Sequence, residues 1–385
     1  MKKESSQDKN QLLKNFNQEL SVSSPGRINL IGEHTDYNEG FVLPTAIDKK
    51  IHFQFRKNSN SEKCRIYSKT YKTYAEFDPQ NLSKSEDSWK NYISGVIHEI
   101  QKKGNKIEAF DCIINSELPV GAGISSSAAL ECGLATGLNE LFDLGLSQLE
   151  LVQLSQAAEN NFVGSNCGIM DQYASVMSKK DHLILLDCRS LEAEFIPADF
   201  KNCKILLLNT NVNHNLAEGE YNTRRRECEE AVKIIQKGHP EVTSLRDVNY
   251  EILKASENEL SESHYMRSLY VLKENERVLK ATEAIKSGNL KEFGKLMYQS
   301  HEGLQHNYEV SCPELDFLVE HTRNKPFIFG ARMMGGGFGG CTINLIEADA
   351  ISEYTKEVSE AYKRKFNIDL DAITVSPSEG TTITK

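Results

Sequence analysis

The sequence predicts an α+β protein of two domains, and three observations support this class. The chain has 385 residues, which is more than one hydrophobic core usually organises. Segments that alternate apolar and polar residues, as strands do, are interspersed with segments of helical periodicity. A polar connection at Arg189 and Ser190 follows an apolar strand-like run and marks the predicted boundary. We predict an N-terminal domain at residues 20–190, a C-terminal domain at residues 191–385, and a partly disordered polar tail at residues 1–19.

Strands and helices alternate along the predicted N-terminal domain. Strands are predicted at residues 28–31, after a turn at 23–27, and at residues 41–43, 51–55, 64–67, 110–115 and 183–188. Helices are predicted to begin at Trp89, at the serines near residue 126, and at Leu149. Gly133 and Gly137 lie on one face of the second helix, which predicts close packing against a neighbour.

The predicted C-terminal domain contains more helix than strand. Strands are predicted at residues 204–209, 341–346 and 368–375, and helices at residues 221–230, 265–286, 290–299, 313–321 and 361–365. The Arg224–Arg226 run is interpreted as a helix face paired with its own glutamates. The glycines at residues 335–340 match G-x-G-x-x-G, but a strand-like segment follows them. A dinucleotide site would require a helix there, so this reading is rejected.

Composition limits the classes of function. Hydrophobic residues make up 39% of the chain and charged residues 26%, and the formal net charge is -10, which argues against a nucleic-acid partner. No apolar run is long enough to predict a membrane span, and the N-terminal residues lack the apolar core of a signal peptide. The nine cysteines include no C-x-x-C pair, which predicts free thiols in the cytoplasm. Cys167 and Cys341 are interpreted as fillers of small buried sites.

A glycine-serine segment at residues 119–129 reads P-V-G-A-G-I-S-S-S-A-A. Its glycines let the backbone approach a ligand closely, and its serines stand where a helical pattern begins. The N-terminus of a helix offers free N–H groups and partial positive charge, which together bind phosphate. Three successive hydroxyls exceed what capping needs, and one of them could ligate Mg²⁺. The alternative interpretation is a glycine-rich turn with an ordinary cap.

A polar loop follows the first strand and contains Glu33, His34, Asp36 and Tyr37. It combines donors and acceptors between apolar strands, which is the chemistry that recognises sugar hydroxyls. The alternative interpretation is a solvated loop. Asp171 lies among apolar neighbours after a glycine turn, where a carboxylate is usually a helix cap.

Three motifs, in this order and at these distances, resemble those of the GHMP small-molecule kinases. They are G-R-I-N-L-I-G-E-H-T-D-Y at residues 26–37, the glycine-serine segment, and R-M-M-G-G-G-F-G-G-C at residues 332–341. The first resembles the galactokinase signature of that family, and the resemblance extends from about Leu20 to the C-terminus. Met334 departs from the family pattern, which often has threonine there.

The resemblance implies a two-lobed GHMP kinase fold, with a mixed sheet in the N-terminal lobe, a ferredoxin-like C-terminal lobe, and the active site between them. It implies that Mg-ATP phosphorylates the anomeric hydroxyl of α-D-galactose, giving galactose 1-phosphate and ADP, the first committed step of galactose use. The implied partners are galactose and ATP, with Mg²⁺ as cofactor. We also predict a monomer, and from the composition we expect neither nucleic acid nor a membrane as partner.

The resemblance also implies roles for individual residues. Asp171 and Arg27 become the catalytic pair, and Ser126 and Glu159 the Mg²⁺ ligands. The implied sugar-binding residues are Glu33, His34, Asp36, Gly168 and Tyr221. The implied ATP-binding residues are Trp89, Gly121, Ala122, Gly123, Ile124, Ser125, Ser126, Ser127 and Ala128. Asp36 is expected to accept hydrogen bonds from the C3 and C4 hydroxyls of the sugar.

Two other functions compete with this prediction. The first is a kinase of a related sugar, such as N-acetylgalactosamine or arabinose, and the T-D-Y-N run at residues 35–38 argues against it. The second is a non-catalytic galactose sensor. Such relatives can lose part of the serine loop, whereas this chain keeps S-S-S-A-A at residues 125–129, together with Asp171 and Arg27.

Overall fold

A computed structural model describes residues 12–14, 16–119, 121–213 and 217–384 of the chain. Residues 1–11 and 15 of the predicted tail lie outside this part, whereas Leu12 is fully buried. Within the described ranges, no helix is both long and apolar enough to span a bilayer.

The strands found in the described part of the chain are numbered in order. They are β1 (Leu20–Asn29), β2 (Phe41–Val42), β3 (Pro44–Lys57), β4 (Cys64–Ser68), β5 (Thr73–Phe77), β6 (Phe110–Ser116), β7 (His182–Asp187), β8 (Ala193–Pro197), β9 (Cys203–Asn213), β10 (Ile328–Met333), β11 (Gly339–Glu347), β12 (Asp371–Val375) and β13 (Thr382–Thr384).

The α-helices are numbered in the same way. They are α1 (Ser88–Lys102), α2 (Ser126–Leu141), α3 (Gln148–Ala157), α4 (Met170–Met177), α5 (Ala217–Ile235), α6 (Tyr250–Ala255), α7 (Glu262–Lys286), α8 (Leu290–His306), α9 (Pro313–Glu320) and α10 (Ile351–Phe366). A π-helical turn, Ala158–Val163, continues α3.

The first sheet has six strands in the order β13-β1-β3-β6-β4-β5, and a smaller sheet has the order β2-β7-β8. In the first sheet β4 and β6 run parallel and the other neighbours antiparallel, so the prediction of a mixed sheet is confirmed. The predicted turn at residues 23–27 is wrong, because these residues lie inside β1. Pro25 and Gly26 instead produce a shift of register, as proline and glycine often do at a β-bulge.

The second sheet has the order β10-β11-β9-β12, and all its neighbours are antiparallel. Its strands and helices follow a β-α-β-β-α-β order. The connection from β9 to β10 contains α5 to α9, and the connection from β11 to β12 contains α10. The first strand, β9, therefore lies between the third and the fourth, which is the ferredoxin-like order. This arrangement confirms the prediction for the C-terminal lobe.

The predicted division at residue 190 stays a prediction, and the structure adds two pairings that cross it. Strand β8, just after the boundary, pairs with β7. Strand β13, at the far end of the chain, pairs with β1 in the first sheet. The chain therefore returns to the first sheet after completing the second.

The two glycines of α2 bring this helix close to the first sheet, as predicted. A Cβ atom at Gly133 would lie 2.2 Å from Cε2 of Phe53, and one at Gly137 would lie 2.2 Å from Cε2 of Phe55. Both phenylalanines are buried, and their rings stack with centroids 5.8 Å apart. The packing holds α2, and with it the glycine-serine segment, at a fixed height over β1 and β3.

We predict that Gly137→Ala destabilises the protein although alanine is the better helix former. Overpacking a core costs about 1–3 kcal/mol, which exceeds the gain of about 1 kcal/mol in helix propensity. Gly219 in α5 is the matched control, because a Cβ atom there meets nothing within 4 Å. Thermal unfolding should show a lower melting temperature for Gly137→Ala and an unchanged or higher melting temperature for Gly219→Ala. Equal shifts in both variants would contradict the packing argument.

Candidate active site

A cavity of about 310 Å³ opens where the two sheets meet. The polar loop, the glycine-serine segment, the first turn of α4 and the loop after β10 form its walls. The lining includes Arg27, Glu33, His34, Asp36, Gly121, Ala122, Gly123, Ile124, Ser125, Ser126, Ser127, Glu159, Asp171 and Tyr221. Of the residues predicted for the site, Trp89, Ala128 and Gly168 alone lie outside the lining.

Arg27 and Asp171 form a bidentate ion pair at the centre of the cavity. Strand β1 supplies Arg27, and the first turn of α4 supplies Asp171. Nε of Arg27 donates to Oδ1 of Asp171 at 2.6 Å, and Nη2 donates to Oδ2 at 2.9 Å. Burial opposes the charge of Arg27, but Asp171 and then Glu33 outweigh it and raise the pKa of Arg27 above its ordinary value.

Ser125, one of the serines predicted at the helix start, contacts the ion pair. It occupies the N-cap position of α2 in the left-handed region, with φ 55°, and its side chain makes no capping bond. Its hydroxyl instead donates to Oδ2 of Asp171. Nη1 of Arg27 donates to the carbonyl oxygen of Gly123 at 2.8 Å. The ion pair therefore fixes the backbone that leads into α2.

The start of α2 has the features of an anion site. Its first N–H groups have no partner within the helix, and the helix dipole adds partial positive charge there. Ser126 is exposed and Ser127 half-buried at this end, whereas Ala128 points into the core and is fully buried. The side chains that line the cavity here are hydroxyls, and the glycines before them leave the backbone uncovered.

Glu159 lies on the π-helical turn and lines the same cavity. Its Oε2 accepts a hydrogen bond from Nε2 of the buried Gln172 at 2.7 Å. Burial, and then the charge of Asp171, raise the pKa of Glu159 to about 7. Behind it, burial and the charge of Glu159 raise the pKa of the fully buried Glu131 well above its usual range. Gln172 and the buried Glu131 thus support Glu159 from the core.

The polar loop is tied to the second sheet by an ion pair. Oε1 of the buried Glu33 accepts from Nη2 of Arg332 and from the backbone N–H of Gly335, both at 2.8 Å. The guanidinium of Arg332 is fully buried and also donates to the carbonyl oxygens of Asn29 and Leu30, at 2.6 and 2.8 Å. One oxygen of Glu33 therefore has a structural role, in addition to the predicted role in sugar binding.

His34 presents a polar atom without a partner to the cavity. Its Nδ1 is 2.7 Å from the hydroxyl of Tyr37, which is 2.8 Å from the hydroxyl of Tyr308. Its Nε2 is buried and has no hydrogen-bond partner in the described part of the chain. Burial lowers the pKa of His34 to about 3, so the ring is neutral. A neutral imidazole with a free Nε2 can exchange one hydrogen bond with a ligand.

Asp36 is half-buried in the cavity wall, next to the backbone of Gly168. A Cβ atom at Gly168 would lie 2.0 Å from Oδ2 of Asp36, so a larger residue there would displace the carboxylate. Gly168 thus supports the site without lining it. Burial, and then the charge of Asp171, raise the pKa of Asp36 to about 7. Tyr221, on α5, completes this side of the cavity.

The sequence did not single out every residue of the site. Trp89 packs half-buried against the main core, outside the cavity lining, and its predicted contact with adenine stays a prediction. Cys167, interpreted as a buried filler, is half-buried in the cavity wall with Sγ 3.6 Å from Oε2 of Glu159. Glu131 could have been recognised in the sequence, because it is a charged residue on the apolar face of α2. Arg332 lies within the third motif, but its ion pair with Glu33 is visible only in the folded structure.

Family models match three parts of the chain. The galactokinase galactose-binding signature matches residues 11–57, the GHMP kinase N-terminal domain residues 91–179, and the GHMP kinase C-terminal domain residues 281–364. Galactokinase from Thermotoga maritima is 43% identical over 362 residues, covering 94% of this chain and 99% of the relative. Galactokinase from Fusobacterium nucleatum is 41% identical over 351 residues, covering 90% of each chain.

Solved structures show the same relationship. Lactococcus lactis galactokinase, determined in complex with galactose, matches with a TM-score of 0.93 and 35% identity, covering 99% of this chain and 100% of that one. Methanococcus jannaschii mevalonate kinase shares the fold, with a TM-score of 0.66 and 18% identity over 95% of this chain and 100% of its own. From these identities and coverages, the chain belongs to the galactokinase family of the GHMP kinases.

Proposed function

We propose that the chain transfers the γ-phosphoryl group of Mg-ATP to the anomeric hydroxyl of α-D-galactose, giving galactose 1-phosphate and ADP. One observation carries this proposal. A helix start suited to phosphate and a polar loop suited to sugar hydroxyls share one cavity with the Arg27–Asp171 pair. Phosphoryl transfer depends on charge neutralisation and in-line positioning, and these are the features that the cavity brings together.

Asp171 is the proposed partner of the attacking hydroxyl. Among the described residues, Oδ2 of Asp171 accepts from both Arg27 and Ser125, whereas Oδ1 accepts from Arg27 alone. Oδ1 therefore retains an acceptor site for the hydroxyl of the sugar. Arg27 holds the carboxylate in place and adds positive charge near the transferring group. The start of α2, with Gly121 to Ser127, is proposed to bind the phosphates of ATP.

The cavity residues fit Mg²⁺ that arrives with the nucleotide. This ion keeps several waters and usually takes one or two protein carboxylates together with substrate phosphates. Glu159 offers a carboxylate and Ser126 a hydroxyl on the cavity wall, and we propose them as its ligands. No group of three or more metal-binding side chains occurs among the described residues, so phosphates would complete the ligand set. When bound, Mg²⁺ supplies charge neutralisation at the transferring phosphoryl group.

Sugar recognition is proposed to come from Asp36, His34, Glu33 and Tyr221. Asp36 accepts hydrogen bonds from the C3 and C4 hydroxyls, and Tyr221 supports the C4 side. The free Nε2 of His34, with Glu33 beside it, provides the contact near C6. Galactose and glucose differ in the direction of the C4 hydroxyl, so a pocket built for one leaves buried polar groups unpaired with the other.

The proposed cellular setting is the cytoplasm, because all nine cysteines are free thiols, as in proteins of reducing compartments. The monomeric state stays a prediction.

We expect galactose to be a far better substrate than glucose. An unpaired buried group costs about 1–3 kcal/mol, and sites of this kind discriminate by factors on the order of ten thousand. Purified protein should be assayed with ATP and galactose, glucose, 2-deoxygalactose, N-acetylgalactosamine or arabinose, and kcat/KM compared. We expect 2-deoxygalactose to rank above glucose, because it keeps the axial C4 hydroxyl. Glucose within tenfold of galactose would contradict recognition at C4, and absence of any turnover would favour the sensor.

Asp36→Asn should stabilise the protein while impairing sugar use. The pKa of Asp36 is about 7 in the folded protein, against an ordinary value of 3.8. Above pH 7 the carboxylate of Asp36 is charged in both states, and burial makes this charge less favourable in the folded state than in the unfolded state. As the pH falls, the folded state takes up the proton first and the penalty shrinks. Thermal unfolding should show a higher melting temperature for Asp36→Asn at pH 8, with a smaller gain at pH 5.

Glu39→Gln is the control for this experiment, because Glu39 lies in the same loop but its side chain is about half exposed and paired with Arg189 at 2.7 Å. It should show no gain in melting temperature at pH 8. A gain for Asp36→Asn that is equal at both pH values would contradict the assigned cause.

A further inference from the structure

Helix α7 holds the polar loop, residues 32–40, at both of its ends. The backbone N–H of Gly32 donates to Oε1 of Glu274 at 3.0 Å. The backbone N–H of Phe41, directly after the loop, donates to Oδ1 of Asn275 at 2.8 Å. Two consecutive side chains of one helix therefore bind the two backbone positions that bracket the loop, although more than two hundred residues separate them in the sequence.

The loop and the helix fit each other closely. A Cβ atom at Gly40 would lie 2.4 Å from Oδ1 of Asn275, and one at Gly32 would lie 2.8 Å from Cγ2 of Val278. One turn before Glu274, the hydroxyl of Tyr270 donates to the carbonyl oxygen of Glu33 at 3.0 Å. These contacts extend along one face of α7, so the helix supports the loop from its start to its end.

The two residues that bind the ends of the loop, Glu274 and Asn275, differ in burial and in their other hydrogen bonds. Glu274 is fully buried, and its carboxylate also accepts from Ser300 at 2.6 Å and from Arg277 at 2.5 Å. Asn275 is half-buried, and its Oδ1 faces the loop. Substitution of Asn275 therefore removes one anchor with little disturbance of the core, whereas substitution of Glu274 would also unpair Arg277.

We propose that Glu274 and Asn275 are positioning residues that set the affinity for the sugar by fixing the ends of the polar loop. This inference rests on the proposed function, because the loop carries Glu33, His34 and Asp36. None of the contacts of α7 described above involves the glycine-serine segment, so these anchors act on sugar binding and leave ATP binding unchanged. A loop that has lost one of these hydrogen bonds is less ordered before the sugar binds, and the cost of ordering it weakens binding.

The test compares Asn275→Ala with Asn275→Asp, which keeps an oxygen acceptor for the N–H of Phe41. Losing one hydrogen bond of this kind corresponds to about a tenfold change in affinity. We expect Asn275→Ala to raise KM for galactose about tenfold, with KM for ATP within twofold of wild type. Asn275→Asp should recover most of the galactose affinity. Hydrogen exchange should show faster exchange at the amide of Phe41 in Asn275→Ala alone.

Asn289→Ala is the matched control, because its Oδ1 caps α8 by accepting from Glu292 at 3.1 Å, and its hydrogen bonds within the described residues do not include the polar loop. It should lower stability without changing either KM. Equal increases of both KM values in Asn275→Ala, or an unchanged KM for galactose, would overturn the proposal. Failure of the wild-type protein to phosphorylate galactose would instead reject the proposed function, so the two failures are distinguishable.

Discussion

Burying a guanidinium is costly unless a carboxylate neutralises it, and Asp171 supplies that carboxylate to Arg27. The ion pair joins β1 to α4, and the further bonds to Gly123 and Ser125 join both to the backbone that leads into α2. Three segments that are distant in the sequence are thus fixed around one charge. The phosphate-binding helix start and the proposed acceptor of the sugar proton keep their separation because this pair is rigid.

A second buried arginine, Arg332, joins the first sheet to the second sheet by hydrogen bonds and an ion pair. It binds β1 through backbone carbonyls and the polar loop through Glu33, while Gly335 binds the same carboxylate. The sugar side of the cavity therefore depends on both the first and the second sheet, whereas the Arg27–Asp171 pair joins β1 of the first sheet to α4. This arrangement explains why a loop near the N-terminus depends on a helix such as α7, which belongs to the second part of the chain.

Local periodicity predicted the class and most strands and helices, and the resemblance to a known family supplied most of the residues that converge on the cavity. Three examples show what the sequence did not indicate. The sequence placed the serines of residues 125–127 at the start of a helix, but it did not indicate that the hydroxyl of Ser125 donates to Asp171, 46 residues away. The Pro25-Gly26 pair signalled a turn, but neighbouring strands held it inside β1. Strand β13 returns to the first sheet, and no local pattern specifies that long-range pairing.

The central claim is that Arg27 and Asp171 act as one unit in the transfer step. A double-mutant cycle tests it most directly, with kcat for galactose measured in wild type, Arg27→Lys, Asp171→Asn and the double variant. The account predicts a loss on the order of a hundredfold or more for Asp171→Asn, and a double variant no slower than the slower single variant, since residues that act as a unit are non-additive. Near wild-type kcat in Asp171→Asn, or losses that multiply in the double variant, would contradict it.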